Sequence, residues 1–261
     1  LLPIVDEYIV AVGRGDDDTL DRVLSIGDRK IKVIETEWNE SMRDKGYVYG
    51  QQKMVAQFNC SGDWAFYLEG DEVLHEAEIE SIYSAMGDHR NDPNVEALYF
   101  DFFHFYGTAE QVGVAGYRQA PRIIKNTVRT IAPDGLFWVV LETNKRGRYP
   151  RACSARGNIY HYGHCRSVRT MNEKVQRVGK YWGDVHPTFE GYGNIDLAEI
   201  RPFNGTHPDV MKYWIANESE KVFSQSLNYK PSARDLRNRL RFLLESSLGV
   251  EISKKHFTRV D

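Results

Sequence analysis

The sequence lacks any uninterrupted apolar run of about 18 residues, the length that a helix needs to cross a bilayer. Its first residues also lack the basic-then-apolar pattern of a secretory signal peptide. Its three cysteines are unevenly spaced and match neither a disulfide framework nor a paired zinc knuckle. From these absences we expect a cytoplasmic protein with reduced thiols.

Several catalytic motifs are also missing. The chain has no Gly-x-Ser-x-Gly, no phosphate-loop Lys-Ser/Thr pattern, no complete dinucleotide fingerprint and no His-Glu-x-x-His. These absences argue against serine hydrolases, P-loop nucleotidases, nicotinamide dehydrogenases and zincins.

Positive charge is scarce in the first part of the chain. Residues 1–80 hold 8 Lys and Arg but 18 Asp and Glu, a net charge of −10, whereas residues 81–261 carry +7. An acidic part can hold a divalent cation, and a basic part can face phosphates or an anionic membrane surface. Oppositely charged faces that are simply solvated are the equally weighted alternative.

Apolar runs and helical spacings alternate over the first 90 residues. This alternation predicts a mostly parallel sheet with right-handed crossovers. The loop 13–18 and the cluster 69–72 should therefore converge at the carboxyl ends of the strands. Strands are predicted at Tyr8–Val12, Lys30–Glu35 and Trp64–Leu68, and helices from Thr19, over Gly50–Cys60 and over Glu76–Met86.

The rest of the chain is less regular. Ala97–Tyr106 and Phe137–Leu141 are predicted strands, separated by long segments rich in Gly and Arg. Helices are predicted over Asp209–Phe223 and Ser232–Leu248. We expect the basic helix 232–248, which carries leucines along one face, to pack against its own domain, with contact to anionic lipid as the alternative.

The predicted strand at Trp64–Leu68 ends in Glu69-Gly70-Asp71-Glu72. Carboxylates at the end of a buried strand repel one another unless a cation relieves them. Mg²⁺ or Mn²⁺ takes such oxygens together with substrate phosphates, and Gly70 would allow a phosphate to approach the backbone. The alternative is an acidic turn that caps the helix starting near Glu76.

Two further groups could bind a nucleotide. Asp16 and Asp17 could accept hydrogen bonds from a ribose or a base, although a solvated turn explains them equally simply. Arg118 and Arg122, with Lys125, form a predicted basic loop that could hold a diphosphate or could merely be surface.

The segment His161-Tyr-Gly-His164 could offer an imidazole to a metal ion. Two histidines and one cysteine are too sparse for a structural zinc site. Histidines that form structural hydrogen bonds are the alternative at both positions.

Taken together, these segments resemble the family-2-like glycosyltransferases of the GT-A fold, in particular a bacterial and viral branch with a "DEVLHE" block, which stands here at Asp71–Glu76. Most of the chain takes part in the resemblance, and it begins at the family's second strand, so the contacts of the family's first strand are not named. The other segments that carry it are Asp6–Thr19, Asp63–Glu72, His104–Gly107, Arg122–Asn126, His161–Gly163 and Phe203–Pro208.

The resemblance implies one GT-A-like α/β domain over 1–261: a mostly parallel Rossmann-like sheet flanked by helices, a less regular acceptor-side half and C-terminal helices. Residues 1–90 would form the nucleotide-sugar and metal half, 91–208 the acceptor side, and 209–261 the helical extension.

Carried over by position, the resemblance implies that Asp17 lies near the nucleoside and that Glu69 and Asp71 occupy the DxD places, with Asp71 as the direct metal ligand. Glu69 stands where the family usually has Asp, and Val12 and Gly13 replace acidic residues that read the base in many members. The identity of the donor base therefore stays open.

The implied activity is metal-assisted, inverting transfer of a sugar from a nucleoside-diphosphate donor to a hydroxyl of a glycan, lipid-linked or glycoprotein acceptor, without a nucleic-acid partner. A carboxylate must take the hydroxyl proton. Asp134 is the first candidate base, and Asp101 and Glu142 are the alternatives. A nucleotidyltransferase and a catalytically degenerate glycan-binding module are the competing hypotheses.

Overall fold

The structure is a computed structural model that describes residues 1–144, 146–182 and 188–260 as a mixed α/β fold. The α-helices in these ranges are α1 (Thr19–Ser25), α2 (Tyr47–Phe58), α3 (Ile79–His89), α4 (Val168–Val178), α5 (Lys212–Glu218) and α6 (Ala233–Leu248). The strands are β1 (Tyr8–Gly13), β2 (Ile31–Thr36), β3 (Trp64–Phe66), β4 (Glu72–Val73), β5 (Ala97–Tyr106), β6 (Thr108–Gly113), β7 (Gln119–Lys125), β8 (Thr130–Ile131), β9 (Val139–Leu141), β10 (Gly147–Arg148), β11 (Arg151–His164), β12 (Ile200–Pro202) and β13 (Thr258–Arg259).

The first two strands form a parallel sheet of their own. β1 pairs with β2 in a register that runs from Tyr8 opposite Ile31 to Gly13 opposite Thr36. Helix α1 makes the crossover between them, as the alternation of apolar runs and helical spacing predicts.

A larger sheet of eight strands is centred on the parallel pair β5 and β11. One edge of β5 pairs with β7 near its start and with β6 near its end, both antiparallel. Strand β3 continues the sheet beyond β7, β12 continues it beyond β6, and β4 and β13 pair with β11. The strands β8, β9 and β10 form a small antiparallel sheet.

The large sheet is therefore mixed, where the sequence pattern predicts a mostly parallel one. The physical reason lies in the short connections after β5. Gly107 has a φ of +72° and turns the chain directly from β5 into β6, and such a tight turn produces an antiparallel pair.

Sequence patterns predicted the α-helices and the strands β1, β2 and β3 of the first 90 residues, and also strand β5 and helix α6. They missed the short strand β4, the 14-residue strand β11 and helix α4, and the predicted basic loop around Arg122 is strand β7. Helix α5 ends at Glu218 rather than Phe223. Helix α6 packs against its own domain, as predicted, but through polar side chains, and its leucine face is exposed to solvent.

The main core lies between α3 and the large sheet. Leu98, Phe100 and Phe102 point from β5 towards α3, whose Ile82 is fully buried. The alternate residues of β5, including Tyr99, face a second cluster with Trp138. No helix among the described residues is long and apolar enough to cross a membrane.

Candidate functional site

A cavity of about 1230 Å³ opens between the parallel sheet of β1 and β2 and the large sheet. Strand β1, helix α2, strand β3 with the segment that follows it, and helix α4 contribute its walls. Glu69, Asp71, His161 and His164 line the cavity, so the structure brings all four predicted metal-site residues to one place.

Asp71 is placed by strand pairing. Its carbonyl oxygen accepts a hydrogen bond from the backbone N–H of Tyr162 at 2.9 Å, and the next residue, Glu72, pairs with His161 in the β4–β11 register. This pairing holds the carboxylate of Asp71 against the imidazole of His161, with 3.6 Å between Oδ1 and Nε2.

Asp71 also meets two cations that the sequence analysis did not identify. Lys174 donates to Oδ2 at 2.8 Å, and Arg166 Nη2 lies 3.9 Å from the same oxygen. Burial alone would raise the pKa of Asp71, but the charge and hydrogen bond of Lys174, together with the charge of Arg166, outweigh burial and lower this pKa. The carboxylate is therefore ionised at neutral pH.

Helix α4 presents Lys174 to the cavity because its inward residues follow helical spacing. Met171, Lys174, Val175 and Val178 recur at intervals of three, one and three residues, and all four line the cavity. Ser167 is the N-cap of this helix, and its Oγ accepts a hydrogen bond from the N–H of Thr170.

The hydrogen bonds of His104 and His161 assign their tautomers. His104 Nε2 lies 2.8 Å from the carbonyl oxygen of Tyr117, which can only accept, so Nε2 carries the proton. Burial, followed by the charge of His161, lowers the pKa of His104 to about 3, so the ring is neutral and Nδ1 accepts a hydrogen bond. The donor is His161 Nδ1–H at 2.9 Å.

It follows that a neutral His161 presents the lone pair of Nε2 to Asp71 Oδ1. Burial lowers the pKa of His161 although Asp71 raises it, which favours the neutral ring. A lone pair and a carboxylate oxygen 3.6 Å apart repel each other, and a cation between them would remove the repulsion. Ligand bonds of roughly 2.1 Å to one ion are compatible with that separation.

The described residues contain no group of three or more His, Cys, Asp or Glu side chains arranged to hold a metal ion by themselves. Asp71 Oδ1 and His161 Nε2 could supply two ligands to an ion that takes its other ligands from substrate phosphates and water. Burial, followed by the charges of Lys174 and His161, lowers the pKa of His164 to about 4, so its ring also lines the cavity in neutral form.

Arg166 also lines the cavity, close to Lys174. Both side chains approach the same oxygen of Asp71, so two positive charges lie at this wall of the cavity. Within the described parts of the chain, the buried Nε–H of Arg166 has no hydrogen-bond partner. A buried donor without an acceptor costs free energy.

Glu69 lies next to the buried charges of Arg122 and Glu72. Arg122 has a side chain with 0% exposure and forms two hydrogen bonds to Glu72, at 2.8 and 2.5 Å. Its Nη2 lies 3.7 Å from Glu69 Oε1. Burial, and then repulsion by Glu72, raise the pKa of Glu69 to about 7.

Lys53 from α2 is buried beside this group and also lines the cavity. Its Nζ lies 4.1 Å from the ring centre of Tyr67 and 4.0 Å from that of Trp138. Burial, followed by the charge of Arg122, lowers the pKa of Lys53.

Aromatic rings form another wall of the cavity. Tyr49 stacks on Trp182 with ring centres 5.9 Å apart and also contacts Trp38 edge-on at 5.2 Å. These three side chains line the cavity, and Trp182 is 52% exposed. Such flat apolar surfaces suit a sugar or a base that stacks on them.

Asp16 and Asp17 lie in the loop after β1, but outside the residues that line the cavity. Asp17 Oδ1 accepts a hydrogen bond from the N–H of Thr19 at 3.1 Å at the start of α1, and the hydrogen bonds of Thr19 lower the pKa of Asp17. The acidic loop and the 69–72 cluster therefore do not meet at the cavity, which β1 reaches through Tyr8–Ala11.

The two predicted diphosphate-binding arginines point elsewhere. Arg122 is enclosed in the sheet with Glu72, and Arg118 pairs with Glu245 of α6. Neither lines the cavity. The cations that do are Lys53, Arg90, Arg166 and Lys174.

None of the three candidate bases lines the cavity either. Asp134 Oδ1 accepts a hydrogen bond from the N–H of Leu136 at 2.8 Å. Asp101 accepts one from Gln119 on the neighbouring strand β7, and Glu142 forms an ion pair with Arg148.

Sequence reasoning missed Lys174, Arg166, Lys53 and His104 as parts of the site. Lys174 could have been found from the helical spacing of the segment after His164, which has a Ser at its N-cap and Lys174 on its apolar side. The many charged residues of this segment mask that spacing.

Fold and site together define an α/β protein with a cavity in which cationic side chains lie beside an acidic strand end. No family model matches the chain, and no curated protein matches it either.

Proposed function

We propose that this protein is a glycosyltransferase of GT-A-like fold that moves a sugar, with inversion and the help of a divalent metal ion, from a nucleoside diphosphate to a hydroxyl of a glycan or glycoconjugate. The observation that carries the proposal is the cavity wall on which Asp71, His161, Lys174 and Arg166 meet. A carboxylate, an imidazole lone pair and two cations suit a diphosphate and its ion.

The diphosphate is bound by Lys174 and Arg166. The guanidinium group of Arg166 donates to a phosphate oxygen, and the ammonium group of Lys174 balances the charge that grows on the leaving group. Both side chains come from the segment after β11, so one part of the chain holds the leaving group.

Asp71 Oδ1 and His161 Nε2 would hold Mn²⁺ or Mg²⁺, and the hydrogen bond to His104 fixes the tautomer of His161. Such an ion would supply positive charge next to the diphosphate. The sugar or the base stacks on the wall formed by Trp38, Tyr49 and Trp182.

The acceptor hydroxyl must lose a proton to a carboxylate. Asp134, Asp101 and Glu142 do not line the cavity, so the acid that best suits this role is Glu69, which lines the cavity and has a pKa of about 7. A base whose pKa is near the working pH is the most effective one.

Titration calorimetry with a panel of nucleoside diphosphates, with Mn²⁺ and with a chelator, tests the proposal. We expect Mn²⁺-dependent binding of one nucleoside diphosphate, and a roughly tenfold or greater loss in Asp71→Asn, since a charged ligand to the ion is removed. Asp88→Asn is the matched control, because Asp88 forms an exposed pair with Arg156 and does not line the cavity.

A second variant tests the geometry without changing charge. A Cβ at Gly163 would lie 2.5 Å from His161 Nε2 and 2.9 Å from Asp71 Oδ2, so Gly163→Ala should displace both groups and weaken binding, whereas Gly116→Ala meets open space and should not. Binding unchanged in Asp71→Asn and Gly163→Ala, or absent in the wild-type protein, would contradict the proposal.

Product analysis separates the competing hypotheses. A glycosyltransferase releases a nucleoside diphosphate, whereas a nucleotidyltransferase releases pyrophosphate. Glycan binding that persists in Asp71→Asn, without turnover of any sugar nucleotide by the wild-type protein, would assign the chain to the glycan-binding class.

A further inference from the structure

Helix α6 is attached to the rest of the protein through its polar side. Arg239 forms an ion pair with Asp196 at 2.6 Å, and Arg241 donates to the carbonyl oxygen of Ala115 at 2.9 Å. Asn238 donates to Glu199, and Glu245 accepts from Arg118. The capping box of Ser232 and Asp235 starts the helix, and Gly249 ends it with a φ of +63°.

The opposite side of α6 is apolar and faces solvent. Its five leucines are spaced by four, three, one and four residues, which places them on one face of a helix. This arrangement is the reverse of the usual surface helix, whose apolar face packs against the core. The exposed fractions are 56% for Leu236, 58% for Leu240, 66% for Leu243, 45% for Leu244 and 64% for Leu248.

The charges that border this face are positive. Arg234 and Arg237 are exposed, and Arg237 lies three residues from Leu240 and seven from Leu244, on the same side of the helix. Lys230 before the helix and Lys254 after it are also exposed. The two acidic residues of the helix point away, since Asp235 caps its N-terminus and Glu245 binds Arg118.

We propose that the leucine face of α6 binds the surface of an anionic lipid bilayer, with the helix axis parallel to that surface. Leucines enter the boundary between headgroups and acyl chains, and the arginines remain with the anionic headgroups, the arrangement that interfacial amphipathic helices adopt. A second copy of the chain fits this face less well, because pairing the same positively bordered face of two copies brings like charges together.

Vesicle sedimentation with the whole 261-residue protein tests this proposal. We expect retention by vesicles of phosphatidylcholine with phosphatidylserine, little retention by phosphatidylcholine alone, and weaker retention at high salt. The variant Leu236→Gln, Leu240→Gln, Leu243→Gln should bind anionic vesicles roughly tenfold or more weakly. Arg234→Gln with Arg237→Gln should also weaken binding, by roughly tenfold.

Matched substitutions on another exposed surface control for hydrophobicity in general. Val210, Val222 and Leu227 are 76%, 80% and 103% exposed and lie outside α6, so changing all three to Gln should leave retention unchanged. Thermal unfolding should be the same for all these variants, since every substituted side chain is exposed in the folded protein.

Two results would overturn the proposal. One is equal retention of the wild-type protein and the leucine variant by anionic vesicles. The other is sedimentation equilibrium showing a wild-type dimer that the leucine variant dissociates, which would assign the face to a second copy of the chain. Neither result depends on transferase activity, so the proposed function is tested separately.

Discussion

At the scale of single residues, the site depends on side chains whose ionisation differs from that of the free amino acids. Burial and the charge of Glu72 raise the pKa of Glu69 to about 7, whereas Lys174 and Arg166 keep Asp71, two positions away, ionised. Neighbouring carboxylates with pKa values moved in opposite directions can take different roles, one as a proton acceptor and the other as an ion ligand.

The raised pKa of Glu69 predicts a pH dependence of stability. The unfolded chain has the ordinary pKa of 4.5 at this residue. The raised pKa of the folded state therefore stabilises the protein fully below pH 4.5, and this stabilisation is lost as the pH rises to about 7. Because Glu69 is 35% exposed, solvent screening reduces the effect. The free energy of unfolding of Glu69→Gln, relative to that of the wild type, should therefore increase by about 1–2 kcal/mol between those two pH values.

Urea unfolding at a series of pH values measures this difference. Glu142→Gln serves as the control, because Glu142 lies in an exposed ion pair with Arg148. A difference between Glu69→Gln and wild type that stays constant with pH would rule out the assigned titration.

At the scale of elements, the cavity wall is held in place by contacts between strands that are distant in the sequence. Glu72 of β4 and Arg122 of β7 form a fully buried ion pair, and β4 in turn positions Asp71 beside β11. The pair therefore links the acidic strand end to the centre of the large sheet.

Breaking that pair should be costly. Glu72→Gln leaves the charge of Arg122 buried without its main partner, and we expect a loss of about 3–5 kcal/mol in the free energy of unfolding. The exposed pair of Asp88 and Arg156 is the comparison, and Asp88→Asn should cost less than about 1 kcal/mol. Chemical denaturation of both variants measures the losses, and equal losses would contradict the role given to the buried pair.

Local sequence patterns were a good guide at this scale where an element has one periodicity. Strand β1 was predicted correctly from its continuous apolar run, and helix α3 was predicted correctly because its apolar residues follow the helical period. Strand β11 was missed because its Gly, Arg and Asn residues interrupt any alternation, and its stability comes from pairing with β5 along most of its length.

At the scale of the whole molecule, the three cysteines report on the fold. Cys153 and Cys165 are buried, and burial raises the pKa of Cys165 to about 12. Cys60 is partly buried at the cavity, and burial raises its pKa as well. A raised pKa and limited access both slow the reaction of a thiol.

We expect a thiol-specific disulfide reagent to modify Cys60 alone in the native protein, and slowly, but all three cysteines in denaturant. Cys60→Ser should abolish the native reaction. Reaction of Cys153 or Cys165 in the native protein at the rate seen in denaturant would contradict the packing of β11 against β5.

The sequence alone determined the local elements of the first 90 residues, the acidic end of strand β3 and the amphipathic character of α6, because each depends on residues near one another in the chain. It also named Asp71, Glu69, His161 and His164, which the fold brings to one cavity.

Only the tertiary structure decided which cations meet those acids and which face of α6 remains uncovered. Lys174 reaches Asp71 across 103 positions of sequence, and His104 reaches His161 across 57. Arg122 has the charge that suits a diphosphate, yet its strand encloses it with Glu72. Contacts of this kind follow from strand pairing and burial, which no short stretch of sequence specifies.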